Sequence, residues 1–188
     1  ERDTSPNIDA LAASGVRFDR CYATDVPTIP SFTAVLSGQR GIKTGRISFN
    51  ATETIGWDVA WLPYLLSGAG VRTAMVSTLN HMGGYFNRGF QHYLNPMAGI
   101  RKRTQTVEAE EINAYAIPWL EQHHKEHFFL FVHYWDPHVE SVWGEGRKSP
   151  RYKAPEPFKS RFWTKPVKDT DERNYVISQY DANIAYAD

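Results

Sequence analysis

Cysteine is nearly absent. Cys21 stands alone among 188 residues, so no intrachain disulfide framework and no Cys-rich structural zinc site can form. Net charge is absent as well: 21 Lys and Arg balance 21 Asp and Glu. That balance leaves no electrostatic footprint for a nucleic acid or an anionic membrane. No apolar run approaches the roughly 18 residues a spanning helix needs, and mean hydropathy is −0.50. Glu1-Arg2-Asp3 is no signal peptide, so a cytoplasmic location is expected unless a leader once preceded it. No serine sits in a G-x-S-x-G elbow, which argues against an α/β-hydrolase. What the chain does have is apolar and aromatic mass, 41% and 14% with six Trp. That is ample for a packed core and too apolar for disorder. The length suits one domain of ordinary size or slightly more.

Helices and short strands alternate along the chain. Thr4-Ser5-Pro6 reads as a helix start, with Ile8, Leu11 and Ala12 on one face and Gly15 as the stop. Val16 to Tyr22 alternates at period two and predicts a strand. A loop with Pro27 and Pro30 leads into the apolar stretch Phe32 to Leu36. Trp61, Leu62, Leu65 and Leu66 form a second helical face, ended by Gly68 and Gly70, and Val71 to Val76 reads as a strand. His81 to Gly99, rich in Gly and aromatics, is expected to be an ordered loop. Ile112, Tyr115, Ala116, Trp119 and Leu120 recur at helical spacing, with Pro118 expected to kink the last turn. Phe128 to Val132 is a continuous apolar run, as in a strand buried on both faces. Val142 to Pro166 reads as an extended insertion, and a last helix from Asp169-Thr170 is expected to turn Ile177, Tyr180 and Ile184 inward. The alternation predicts an α/β fold with a mainly parallel sheet. Both ends look cut: the chain opens almost on a helix signal and stops at Asp188 inside a helical pattern.

Two stretches can carry chemistry. In Asp25 to Gly38, the hydroxyl of Thr28 stands just ahead of a Pro-Ser pair that can open a helix. Unpaired N–H groups and the positive end of the helix dipole favour an anionic group there. The alternative is that Thr28 or Ser31 merely caps the helix. In His133-Tyr134-Trp135-Asp136-Pro137-His138, two histidines directly follow an apolar strand. Ligands in parallel α/β sheets gather at the carboxyl ends of strands, where histidine can protonate a leaving oxygen or bind an anion. The alternative is a loop with two solvated histidines. His123, His124 and His127 crowd a helix end without an evident third ligand, so a metal site there is disfavoured.

In order along the chain, Ser5-Pro6-Asn7-Ile8-Asp9-Ala10-Leu11-Ala12 through Gly15-Val16-Arg17-Phe18, the Thr28 stretch, Gly70-Val71-Arg72-Thr73-Ala74, Arg88-Gly89-Phe90, Phe129 to His138 and Tyr180 to Asp188 resemble the sulfatase family of the alkaline-phosphatase superfamily. Its corresponding motifs are T-P-N-L-D-x-L-A…G-V-x-F, C-x-P-S-R-x-x-L-L-T-G, G-Y-x-T-A, R-G-F and F-L-F-x-H-x-x-x-P-H. The last segment resembles the helix before the family's final metal segment. The resemblance implies an α/β/α sandwich, alkaline-phosphatase-like, of which residues 1–188 form an incomplete piece of one catalytic domain. The N-terminal strand and the C-terminal metal-ligand segment are expected to lie outside it.

The departures decide the implied chemistry. Thr28 stands where the family's cysteine becomes formylglycine, a route closed to threonine. Phe32 replaces the signature arginine, and Ser77-Thr78-Leu79-Asn80 replaces G-K-W-H, with His81 one position later as a partial substitute. Threonine is the nucleophile in phosphate- and phosphonate-cleaving branches of the superfamily. By that resemblance Thr28 attacks phosphorus and binds a divalent metal, expected in the full-length protein and not in this piece alone. His138 and, more weakly, His133 are implied as catalytic, with Ser31 and His81 binding substrate. The expected partner is a small-molecule phosphate ester, less favourably a sulfate ester. A non-catalytic binding domain of the same fold and a phosphomutase or phosphotransferase are the alternatives.

Overall fold

The computed structural model describes residues 2–49, 54–97, 107–138, 154–163 and 172–188. They group into two compact units. One comprises Glu1–Asp19, Lys102–Glu110 and Tyr134–Asp188, the other Arg20–Arg101 and Glu111–His133.

The second unit holds the sheet. Three parallel strands, β1 (Arg72–Val76), β2 (His92–Leu94) and β3 (Phe128–Val132), lie in the order β2-β1-β3. Met75 is level with Tyr93 and with Phe131, and Ala74 with His92 and Leu130. Because side chains alternate across a strand, these two rows point to opposite faces. On the Met75 face lie α2 (Thr28–Ser37) and α4 (Leu62–Gly68), whose Ile29, Leu36 and the adjoining Trp61 form one buried cluster with Met75, Leu79 and Phe86. Burying each such side chain contributes roughly 1.5–3 kcal/mol. On the other face α5 (Ala109–His123) sets Trp119 against His92 and Phe128, and Trp119 Nε1 donates to His92 Nδ1 at 2.6 Å. The layering is helix, sheet, helix, as the α/β/α expectation requires.

The Arg88-Gly89-Phe90 motif proves to be scaffold. Arg88 donates to the carbonyls of Gly56 (3.0 Å) and Val59 (2.7 Å) while lying over Trp57 and Trp61. Gly89 has φ +79, and a Cβ there would meet the Tyr64 backbone nitrogen at 2.2 Å. Only glycine allows α4 to approach so closely. Phe90 stacks on Phe129.

The first unit contains α1 (Pro6–Ala13), α6 (Phe158–Phe162) and α7 (Glu172–Ala187). The Asp188 carboxylate accepts the N–H groups of Asn7 (2.9 Å) and Ile8 (2.8 Å), the orphan donors of the first turn of α1. Phe158 packs on Tyr186 and Trp163 on Tyr175.

Several expectations are corrected. Val16 to Tyr22 forms no strand and is exposed, because alternation alone supplies no partner backbone and none of the described strands pairs with it. The stretch from His81 contains two 3₁₀ turns, Leu79–His81 and Gly84–Asn87, and then β2. β3 is half-buried and not covered on both faces, since among the described residues it is an edge strand. β1 is the strand that buries four residues in a row. In α7, Ile177 and Tyr180 are 40% and 41% exposed, while Ser178, Gln179, Ala182 and Asn183 are buried. Polar burial is tolerated there because Ser178 Oγ donates to the Tyr175 carbonyl and Asn183 Nδ2 to that of Gln179. α5 runs on through Pro118 to His123. Of the expected insertion, residues 142–153 and 164–166 lie outside the described residues, as do Asp169-Thr170.

Candidate active site at the carboxyl edge of the sheet

Just past the strand ends the alternation continues into polar residues. Ser77 follows β1, His133 follows β3 and Asn95 follows β2. The Ser77 N–H donates to the Leu94 carbonyl at 3.1 Å and the His133 N–H to that of Val76 at 3.0 Å. Two residues on from Met75 and Phe131, Ser77 and His133 therefore face the α2 side. Ser77 Oγ lies 3.0 Å from His133 Nδ1 and accepts the Leu79 N–H at 3.0 Å. The Tyr93 hydroxyl accepts the Asn80 N–H at 2.9 Å, and Asn95 Nδ2 donates to Asn80 Oδ1 at 3.1 Å. Burial pushes Tyr93 up to about 12, partly offset by the Asn80 N–H and by the Ser77 hydroxyl that it faces. Thr78 Oγ1 is buried beside them without a hydrogen-bond partner among the described residues. The G-K-W-H position is thus refilled by neutral hydroxyls and amides.

Thr28 is the first residue of α2 and Pro27 is its N-cap. Neither Thr28 nor Ser31 caps the helix through its side chain, so the capping alternative fails. Both hydroxyls are half-buried. Thr28 and Phe32 are four apart and share a flank of α2. The Phe32 ring meets His133 edge-on at 4.9 Å and Phe131 at 6.0 Å. The structure thereby brings His133 against the side of α2 on which Thr28 opens the helix. Phe32, standing in the arginine position, makes that contact.

His138 belongs to the other unit. It is exposed, its N–H donates to the Trp135 carbonyl at 2.7 Å, and its ring lies 5.3 Å from that of Trp135. Asp136 Oδ1 in the same loop accepts the Ala109 N–H at the start of α5, at 3.1 Å. Burial pushes Asp136 up from 3.8 to about 6, with the Ala109 bond opposing the rise and Glu110 and Glu108 adding to it. A carboxyl raised on folding stabilises fully below its unfolded value, and the contribution is lost as pH rises through the folded one. Asp136→Asn keeps an acceptor for Ala109 and carries no charge. It should raise Tm well above pH 6 and lose that advantage as pH falls below 3.8. Thermal unfolding across that range checks this, and a gain independent of pH would refute it.

The remaining candidates are placed elsewhere. His81 is exposed and its Nδ1 turns onto the Thr78 carbonyl of its own turn. His123 Nδ1 pairs with Glu126 and His124 Nδ1 with the Glu121 carbonyl, which accounts for both without a metal. Among the described residues no three His, Cys, Asp or Glu side chains converge as metal ligands. They supply no cage for the divalent ion that the resemblance implies, at Thr28 or elsewhere. Sequence reasoning noted Ser77 only as part of a replaced motif and missed Asn95, whose shared signal was the polar residue just beyond β1 and β2, and it missed Tyr93, which lies within β2.

Comparison with known proteins speaks to the family and the fold. A protein-family model described as Sulfatase matches residues 1–188. The N-acetylglucosamine-6-O-sulfatase of Bacteroides thetaiotaomicron is 35% identical over 89 residues, 47% of this chain and 15% of that protein. Arylsulfatase G of Rattus norvegicus is 32% identical over 99 residues, 49% of this chain and 19% of its own length. A solved structure of BT4656, in complex with its substrate D-glucosamine-2-N,6-O-disulfate, superposes with a TM-score of 0.57 at 26% identity. That match covers 71% of this chain and 30% of the other. The chain thus spans under a fifth of the length of both curated relatives.

Proposed function

The chain belongs to the sulfatase family, and on that premise we propose that the protein hydrolyses an anionic ester, phosphate ahead of sulfate, with Thr28 Oγ1 as the attacking oxygen. One observation carries the reading. The Thr28 hydroxyl, in the family's nucleophile position, opens α2 without capping it and engages no other described group. It shares a helix flank with the Phe32 ring that packs on His133.

In the first half-reaction Thr28 Oγ1 bonds to phosphorus as its proton passes to solvent water, and the ester oxygen departs with its bonding electrons. His138 delivers a proton to that oxygen, and His133 supports the anion from the sheet edge. In the second, water attacks phosphorus and gives a proton back to His138, and the bond to Thr28 breaks as its oxygen takes up a proton from solvent. The free N–H groups of the first turn of α2 favour the anionic adduct. Ser31 lies within the same stretch as a further hydroxyl for the anion.

A sulfate ester is the second reading. The two relatives bear sulfatase names, and the structural neighbour is described with a disulfated sugar as its substrate. Against it stands the chemistry of threonine, which cannot form the aldehyde hydrate that expels sulfate by elimination. Aryl phosphate, aryl phosphodiester and aryl sulfate, assayed side by side with the intact protein, separate the readings. Faster turnover of the phosphorus esters is expected. A preference for the sulfate would overturn the phosphate assignment, and silence toward all three would favour a binding domain.

A further inference from the structure

We propose that Trp119 and His92 form an acid-sensitive latch between α5 and β2, closed on the neutral imidazole and opened by a proton on Nδ1. The latch lies at the amino ends of the strands, away from the carboxyl edge. Arg72, His92 and Phe128 are the first residues of β1, β2 and β3. An indole N–H can only donate and offers no acceptor atom. Trp119 Nε1 lies 2.6 Å from His92 Nδ1, so that nitrogen must be bare and accept. A neutral imidazole with a bare Nδ1 carries its single proton on Nε2. The direction of the bond is thus fixed by the chemistry of the two rings.

Among the described residues nothing around His92 balances a cation there. From α5, His123 lies 5.5 Å away ring to ring and also covers Trp119 at 4.7 Å. From β1 comes Arg72, two residues before the Ala74 that is level with His92 and so on the same face. The carboxylate of the cluster is Glu126, in the turn between α5 and β3. One of its oxygens accepts from Arg72 Nε, and the other lies 2.8 Å from His123 Nδ1. His123 and then Arg72 hold the Glu126 carboxyl below its ordinary range, so it is ionised and both oxygens are engaged. β3 contributes the Phe128 ring, edge-on to Trp119 at 5.5 Å, and His127 is exposed. A proton added to His92 Nδ1 would therefore confront the indole N–H at hydrogen-bond distance. Arg72 and, once protonated, His123 would face it as like charges. The latched fold disfavours that proton and the unfolded chain takes it freely, so this contribution to stability is lost as pH falls. His123 acts with the opposite sign, since a proton there strengthens its pair with Glu126.

The test is ¹H and ¹⁵N NMR of the intact protein, labelled in histidine and tryptophan and without substrate. It is run well above and well below the ordinary imidazole pKa of about 6.5. At the higher pH, His92 is expected to show a protonated Nε2 and a bare Nδ1 hydrogen-bonded to the Trp119 indole proton. On acidification the bare Nδ1 signal and the hydrogen-bonded shift of the indole proton should disappear together. His92→Asn keeps an acceptor oxygen near the Nδ1 position that takes up no proton in this range. Amide exchange along α5, compared at equal pH, should match in the two proteins at the higher pH. At the lower pH it should run about fivefold faster in the wild type, the worth of one net hydrogen bond. A wild-type His92 protonated on Nδ1 at the higher pH would overturn the latch. So would an indole proton and an α5 exchange rate that respond to acid alike in both proteins. The wild-type spectra decide even where the variant fails to fold. No readout involves turnover, so the latch and the function proposed above stand or fall separately.

Discussion

Thr28→Ala should abolish nearly all turnover of the preferred ester, by at least about 10³-fold, because removing a nucleophile leaves only binding and positioning behind. The fold should barely notice. Thr28 Oγ1 makes no hydrogen bond among the described residues, does not cap α2 and is half-buried at its first position. Alanine is the best helix former, so the change in stability should stay within about 1 kcal/mol. A kinetic loss with an unchanged Tm therefore isolates the hydroxyl. Thr28→Ser retains the attacking oxygen and should keep a substantial share of the rate. Cys21, exposed and free, provides the control. Cys21→Ala should leave activity intact, since the only thiol of the chain plays no part in the proposed chemistry. The measurement is kcat/KM toward an aryl phosphate for all four proteins. Activity that survives in Thr28→Ala would move the nucleophile elsewhere, and a loss in Cys21→Ala would reopen a role for the thiol.

What could be read in advance divides along a physical line. Elements whose signal is local were legible. The helical spacing of Ile112, Ala116 and Trp119 buries those three residues in α5, and the stretch read as a strand, Val71 to Val76, becomes the central strand over Arg72–Val76. Elements that exist only by pairing were not. Val16 to Tyr22 has the alternation of a strand and no partner, whereas His92 to Leu94, too short to show a pattern among glycines and aromatics, is recruited by β1. Because β2 was invisible, so was Tyr93, and with it the cluster that gathers Ser77, His133 and Asn80. The motif at Arg88-Gly89-Phe90 was visible as a resemblance, but its physical meaning needed the neighbour. A positive φ and a backbone nitrogen 2.2 Å from the would-be Cβ explain the glycine, and no one-dimensional pattern contains either. The two candidate histidines could be picked out by position, one directly after a strand and one in the following turn. Their unequal surroundings were not: His133 is wedged between Phe32 and Ser77, while His138 stands exposed beside Trp135.

That inequality shapes the expectation for His138→Ala. His138 is exposed, and its 2.7 Å hydrogen bond to the Trp135 carbonyl comes from the backbone N–H, so truncating the ring leaves that bond in place and should cost the fold little. Any large effect must then be chemical. If His138 protonates the departing oxygen, its worth depends on how badly that oxygen needs the proton. An alkyl or sugar alkoxide is a poor leaving group and should lose roughly 10²–10⁴-fold in kcat, the usual value of general-acid help. A nitrophenolate departs without assistance and should lose far less. The ratio of the two losses is therefore more informative than either alone, and it is insensitive to any uniform damage the substitution causes. Equal losses for both leaving groups would instead assign His138 to binding the anion, which both substrates share. No loss with either would leave proton delivery to His133.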